Sequence, residues 1–146
     1  MIPKKLMEEV TYFGGPAFYL FICSLLLFQG NFLLFKLTFL SLILIYLITF
    51  AIRFIYYKPR PKKQSHKNLL EKLDASSFPS MHSARITLLC LIFTSVYLNL
   101  YSVLLSALLI LLVSYSRIYL KKHYFSDLVG GVILGILVYF FMNYFN

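Results

Sequence analysis

Charged residues are scarce in this chain. Of its 146 residues only 13% are Asp, Glu, Lys or Arg, while 60% are hydrophobic and the mean hydropathy is +0.80. A soluble domain of this length could not bury so much apolar surface, so its surroundings must be lipid. The first apolar run also lacks a short hydrophobic core followed by a small-residue cleavage site, so we expect no cleavable signal peptide.

Ligands for a metal ion are equally scarce. The chain has five acidic residues and two cysteines, and both cysteines, Cys23 and Cys90, lie inside apolar runs. We interpret the cysteines as small buried hydrophobes that form neither a disulfide nor a metal site. No dense cluster of carboxylates or thiolates could hold a metal, so we predict a site without a metal or other cofactor.

Long hydrophobic segments make up most of the sequence. A spanning helix needs roughly 20 apolar residues, and five stretches qualify: residues 10–28, 32–57, 83–98, 103–120 and 128–145. The turns at 29–31 and 99–102 are short enough for tight helical hairpins, whereas residues 58–79 form a long polar connection bounded by prolines. The sequence predicts an all-α, polytopic membrane bundle of about five helices, in a single domain over residues 1–146.

The charges are concentrated on one side of the predicted bundle. Five spans place the N-terminus, the loop 58–79 and the region around residues 117–126 on the same side, which carries all five acids and every Lys and Arg except Lys36. A net charge of +9 suits anionic lipid, nucleic acid or a phosphorylated substrate. No nucleic-acid-binding module is visible, and no feature indicates an obligate protein partner. The positive-inside rule would make this charged face cytoplasmic.

The first motif on this face is RFIYYKPRP, from Arg53 to Pro61. Arg53 and Arg60 are seven residues apart, so a helix that runs to its proline stop would place both on one side. Taken alone, the segment favours the alternative of a snorkelling arginine followed by a basic cluster at the membrane surface.

The second motif is FPSMHSAR, from Phe78 to Arg85. Pro79 and Ser80 indicate a helix start with Ser80 as N-cap. His82 would then lie in the first turn, where free N–H groups and the helix dipole favour an anion. The alternative, a histidine that is merely a polar residue at the interface, is about as well supported.

The third motif is SRIYLKKHYFSD, from Ser116 to Asp127. His123 and Asp127 are four apart, so on a helix they would share a face and could form a hydrogen bond. A carboxylate on one imidazole nitrogen leaves the other nitrogen available as a base or nucleophile. Alternatively, Ser126 or Asp127 caps a helix.

Together the three motifs predict a reaction class. Three arginines can fork onto the oxygens of a phosphoryl group, for which a planar guanidinium is better suited than an ammonium. One histidine can attack phosphorus while the other protonates the leaving oxygen. With no metal ligands in sight, the arginines would supply the charge stabilisation, and the sequence indicates metal-independent hydrolysis of a phosphate ester.

The pattern Arg53-x6-Arg60-Pro61, Pro79-Ser80-x-His82 and Ser116-Arg117-x5-His123-x3-Asp127 resembles the tripartite signature of the type-2 phosphatidic acid phosphatase family. That family also includes vanadium haloperoxidases, which are soluble and therefore a poorer fit, and glucose-6-phosphatase.

This resemblance implies a role for each matching residue. His123 would be the nucleophile that forms a phosphohistidine, Asp127 would orient it, and His82 would be the general acid. Phosphate binding would fall to a set of five residues: Arg53, Arg60, Ser80, Met81 and Arg117. Two positions depart from the usual pattern, since Arg53 replaces a lysine and Met81 stands where glycine is frequent, which would matter if that position required a positive φ.

The membrane setting argues for a phosphorylated membrane lipid as substrate. A basic loop suits a head group with more than one negative charge, and it contains Lys58, Lys62, Lys63, Lys67 and Lys72. Similar bacterial enzymes imply lipid A 1-phosphate or phosphatidylglycerol phosphate, which we favour, or undecaprenyl diphosphate. They also imply the bacterial inner membrane, with the site on the periplasmic face. A catalytically silent protein that binds anionic lipid is the alternative from a different class.

Five further positions receive simpler interpretations. Gly131 and Gly135 form a GxxxG motif that we expect to pack helices within one chain. Lys121 and Lys122 are expected to face lipid head groups, and His66 is expected to be solvated.

Overall fold

The computed structural model describes residues 3–62, 64 and 67–144, and all of its regular structure is helical. The bounds of the helices are α1 Lys4–Tyr12, α2 Pro16–Phe28, α3 Phe32–Ile55, α4 Leu69–Ala75, α5 Met81–Val96, α6 Leu100–Tyr119 and α7 Phe125–Tyr144. Lys63 and His66, for which the sequence predicts head-group binding and solvation, lie outside the described residues.

Within the described residues, four segments are long and apolar enough to cross a membrane. They are Lys4–Phe28, Phe32–Ile55, Leu100–Tyr119 and Phe125–Tyr144, and the shorter apolar helix α5 accompanies them. The predicted all-α membrane bundle is therefore confirmed. The chain is a multi-pass membrane protein.

Helix α5 lies at the centre of the bundle and packs against α3, α6 and α7. Its contact with α7 depends on small residues, because a Cβ on Gly131 would lie 2.4 Å from the carbonyl oxygen of Ser80 and one on Gly135 would lie 2.6 Å from that of Ala84. The expectation that the GxxxG motif packs helices within the chain is confirmed by these approaches.

The two hairpin turns lie together at one end of the bundle. Gln29 and Asn31 from the α2–α3 turn line a cavity with Val96 and Tyr97 from the α5–α6 turn. Gly30 adopts a φ of 73°, which permits the tight turn, and the Asn31 side chain caps α3 by accepting the N–H of Leu34. This arrangement leaves the charged segments to meet at the other end.

The structure differs from the predicted spans in three places. The first span is broken at residues 13–15, so that α1 packs on α6 while α2 packs on α3. Helix α3 ends at Ile55, with Tyr56 extended, so Arg60 is not on the same helix as Arg53 and that expectation is wrong. The polar connection contains the short helix α4, which the sequence pattern did not indicate.

Candidate active site

A cavity of about 180 Å³ opens among the charged segments. Six of the eight predicted site residues line it: Arg53, Arg60, Met81, His82, Arg117 and His123. They come from four separate parts of the chain, namely α3, the loop after it, the first turn of α5, and the end of α6 with the loop that follows. The other two predicted residues, Ser80 and Asp127, lie behind this lining and are fully buried.

The arginines of the cavity retain unused donors. The Nε atoms of Arg53, Arg60 and Arg117 are buried and have no hydrogen-bond partner within the described residues. Buried N–H groups are rarely left without an acceptor, and a charged donor is the most costly to leave unpaired. Three such guanidinium groups around one small cavity are therefore suited to an anion with several oxygens.

The C-terminal end of α4 holds two of these arginines in place. Arg53 donates to the carbonyls of Leu73 at 3.1 Å and of Pro79 at 3.0 Å, and Arg60 donates to the carbonyl of Asp74 at 2.5 Å. The carbonyls at a helix C-terminus have no intrahelical partner and carry partial negative charge, so they suit cations. Helix α4 thus orients two guanidinium groups without using carboxylate oxygens.

Arg117 is held by a hydrogen bond to a residue of α1, near the N-terminus. Its Nη1 atom donates to the hydroxyl of Thr11 at 2.8 Å, which ties the end of α6 to α1. Thr11 carried no recognisable signal in the sequence, since its partner lies far along the chain.

His123 has a defined tautomer. Its Nδ1 atom lies 2.8 Å from the carbonyl oxygen of Ser77, which can only accept, so Nδ1 carries the hydrogen. In the neutral ring Nε2 then holds the lone pair. Burial lowers the pKa of His123 to about 4; Asp127 opposes this shift, while Arg117 and Arg60 add to it.

Asp127 contacts His123 less directly than the sequence spacing predicted. His123 lies in the loop between α6 and α7, while Asp127 lies in the first turn of α7, so the two do not share a helix. The nearest oxygen of Asp127 is 3.8 Å from Nδ1 of His123, an ion-pair distance beyond hydrogen-bond range. The carboxylate instead accepts from the ammonium of Lys58 at 2.6 Å and from the N–H of Tyr124 at 2.8 Å. Lys58 is therefore not free to bind a lipid head group.

His82 is held by a residue that the sequence analysis left without a role. Arg85 is only 2% exposed and its Nη2 atom lies 3.4 Å from Nδ1 of His82. Because a guanidinium can only donate, Nδ1 is the acceptor and Nε2 carries the hydrogen of the neutral ring. Arg85 is itself fixed by the carbonyl of Gly14 and the hydroxyl of Tyr46, both at 2.8 Å. The available signal was an arginine inside an apolar helix, which is costly in a membrane and typical of a functional site.

Ser80 and Met81 form the start of α5. The Ser80 hydroxyl accepts the N–H of Ser83 at 3.4 Å, in agreement with the predicted N-cap, and the Ser80 N–H donates to the carbonyl of Asp127 at 2.9 Å. Met81 begins the helix and is not among the described residues with a positive φ. A methionine therefore fits here without backbone strain, and its N–H, in the first turn, has no intrahelical acceptor.

The sequence matches one known family over most of its length. The family model described as PAP2 superfamily covers residues 34–146. The chain belongs to the PAP2 superfamily, in agreement with the resemblance of the three motifs.

A solved structure shares the fold. The crystal structure of the first transmembrane PAP2 type phosphatidylglycerolphosphate phosphatase from Bacillus subtilis superposes with a TM-score of 0.76 at 22% sequence identity. The match covers 97% of this chain and 75% of that chain. No curated protein matches this sequence.

Proposed function

We propose that this protein is a metal-independent phosphatase of a phosphorylated membrane lipid, acting through a phosphohistidine on His123. The observation that carries the proposal is the single cavity that brings together two histidines and the unpartnered guanidinium donors of Arg53, Arg60 and Arg117. An anion-binding protein would need the arginines, but it would not need a histidine with its Nε2 lone pair available beside them.

The reaction follows from the two histidine tautomers. Arg53, Arg60 and Arg117 bind the phosphoryl oxygens, and Nε2 of His123 attacks phosphorus. A P–N bond forms while the P–O bond to the lipid breaks, and the leaving oxygen takes the Nε2 proton of His82, which donates it from the imidazolium form and is left as the neutral ring. Water then attacks phosphorus, the P–N bond breaks, and the proton from water returns to His82. Inorganic phosphate and the lipid alcohol are the products.

The carbonyl of Ser77 supports the nucleophile. As His123 attacks, its ring gains positive charge, and the Nδ1–H bond to the Ser77 oxygen strengthens. The carboxylate of Asp127, 3.8 Å away, adds a favourable charge interaction with the phosphorylated ring.

An apolar groove next to the cavity supports a lipid substrate. The groove, of about 680 Å³, lies between α3 and α7 and includes Ile52, Phe78 and Gly130. Ile52 adjoins Arg53, and Phe78 lies between Ser77 and Pro79, so the groove reaches the residues that hold the arginines and His123. Acyl chains in this groove would present the phosphate at the cavity, at the membrane interface.

We favour phosphatidylglycerol phosphate or lipid A 1-phosphate as substrate. The first has the support of the fold shared with a phosphatidylglycerolphosphate phosphatase. The second has the support of the basic loop alone, and undecaprenyl diphosphate is the alternative within the same family. We also propose that the protein lies in the bacterial inner membrane with its site on the periplasmic face.

The test is phosphate release from these three lipids by the detergent-solubilised enzyme with EDTA present. We expect release from at least one of them, and less than a thousandth of that rate in the His123→Ala variant, on the order of what loss of a covalent nucleophile costs. Loss of all activity in EDTA would contradict metal independence. Lipid binding without release from any lipid would favour the non-catalytic alternative.

A further inference from the structure

The side chain of Lys58 lies against the carboxylate behind His123. Its ammonium is 2.6 Å from Oδ1 of Asp127 and 2.8 Å from the hydroxyl of Ser126, and it lies 4.9 Å from the centre of the Tyr124 ring. Lys58 does not line the cavity. The phosphate-binding mechanism therefore leaves this lysine unexplained.

The main chain of Lys58 reaches the other partner of His123. Its N–H donates to the Ser76 hydroxyl at 3.2 Å, and its carbonyl accepts the N–H of Ser77 at 2.7 Å. The carbonyl of Ser77 in turn accepts the Nδ1–H of His123. Lys58 thus contacts both residues that face Nδ1 of His123: Ser77 through its backbone and Asp127 through its side chain.

The charge of Asp127 bears directly on the nucleophile. The carboxylate is fully buried, and an uncompensated anion 3.8 Å from an imidazole favours the imidazolium form. An imidazolium has no lone pair on Nε2 and cannot attack phosphorus. The ammonium of Lys58 offsets the anion at a shorter distance, and so favours the neutral ring.

The other cations near His123 act in the same direction as Lys58. Lys122 precedes His123 in the chain, and the cavity that His123 lines is also lined by His82, four arginines and one further acid: Arg53, Arg60, Arg85, Arg117 and Asp74. Cations disfavour an imidazolium, so Asp127 and Asp74 are the groups whose charges oppose them, and Asp127 is the one that pairs with Lys58.

We propose that Lys58 is a positioning residue that pairs with Asp127 so that His123 presents a neutral ring with its lone pair on Nε2. This inference rests on the proposed function, because it assumes that His123 is the nucleophile. The backbone and the side chain of Lys58 have different roles. The backbone holds Ser77, whose carbonyl orients the His123 ring, and the side chain offsets the negative charge of Asp127 next to that ring.

The test compares two substitutions that differ in charge but retain hydrogen-bond donors. The pH dependence of kcat/KM is measured for the wild type, Lys58→Gln and Lys58→Arg, with Lys36→Gln as the control at an exposed lysine near the opposite end of α3. In the wild type, kcat/KM falls at low pH as His123 becomes protonated, and this fall is the acid limb of the profile. In Lys58→Gln the acid limb should move to higher pH by about one unit or more, since the charge of the Asp127 carboxylate is no longer offset. In Lys58→Arg and Lys36→Gln it should stay at the wild-type position.

Two results would overturn the inference: a limb that stays in place in Lys58→Gln, or one that moves equally in Lys58→Gln and Lys58→Arg. The second would show that the shape of the lysine matters and its charge does not. The His123→Ala variant keeps this test separate from the proposed function. If that variant retains activity, the proposed function fails; if it is inactive and Lys58→Gln titrates like the wild type, only the role of Lys58 fails.

Discussion

At the residue scale, the protonation of His123 makes the first prediction. Burial lowers the pKa of His123 to about 4, so the ring is neutral above that pH and protonated below it. Because only the neutral ring can attack phosphorus, kcat/KM, after correction for the second ionisation of the substrate phosphate at pH ~6, should fall as the pH drops through about 4. The measurement is kcat/KM against pH, with thermal unfolding at each pH to verify that the protein is folded. An acid limb at about 6.5, the ordinary value for histidine, would contradict the assignment.

Arg85 makes a second prediction at the same scale. Its guanidinium holds Nδ1 of His82, so the Arg85→Met variant should lose orientation of the group that assists the leaving oxygen. We expect kcat for a lipid substrate to fall roughly 10- to 100-fold, part of what general acid catalysis contributes. A p-nitrophenyl phosphate substrate has a good leaving group and should be affected much less. Equal losses for both substrates would instead indicate a direct phosphate contact or a folding defect.

At the scale of helices, the close contact between α5 and α7 determines where the start of α5, with Ser80 and Met81, lies. A Cβ at Gly131 would meet the Ser80 carbonyl oxygen at 2.4 Å, and backbone cannot move aside as a flexible side chain can. The Gly131→Ala variant should therefore be destabilised by about 1–3 kcal/mol through overpacking, with loss of activity. Thermal unfolding in detergent tests this, with Val129→Ala at a lipid-facing position of α7 as the control. Unchanged stability in Gly131→Ala would show that α5 and α7 can separate freely.

The helices differ in how far the sequence predicts them. The long spans are predictable because hydropathy over roughly 20 residues is what a bilayer requires. Helix α4 has seven residues, too few to be stable alone, and its end is held by Arg53 and Arg60 from elsewhere in the chain. The break before α2 depends on Gly14, where a Cβ would lie 2.7 Å from Val113 and 3.0 Å from His82. Such contacts between distant segments leave no local periodicity.

At the scale of the whole molecule, the charged segments converge on one face, and this makes a topology prediction. In spheroplasts, a membrane-impermeant maleimide should label the Glu71→Cys variant on α4 without lysis. The Asn143→Cys variant near the end of α7 should be labelled only after lysis. The native Cys23 and Cys90 are buried and give little background. The reverse pattern would place the site in the cytoplasm, as the positive-inside rule predicts.

The sequence predicts which ionisable residues form the site, but it does not predict the hydrogen-bond partners that orient them. Arg53, Arg60, His82, Arg117 and His123 stand at motif spacings that a reader of the sequence can see. The groups that orient them are largely backbone carbonyls, at Ser77, Leu73, Asp74 and Pro79, and every residue type offers one. The Lys58–Asp127 pair likewise joins residues 69 positions apart. Only the fold reveals these contacts.

The most direct test of the central claim is to trap the phosphoenzyme. The enzyme is mixed with lipid substrate labelled with 32P in its terminal phosphate, quenched within the first turnover under alkaline denaturing conditions that preserve phosphohistidine, and mapped by peptide mass spectrometry. The mechanism predicts label on His123 in the wild type, and none on any residue in the His123→Ala variant. Label on another residue, or full turnover by the His123→Ala variant, would contradict it.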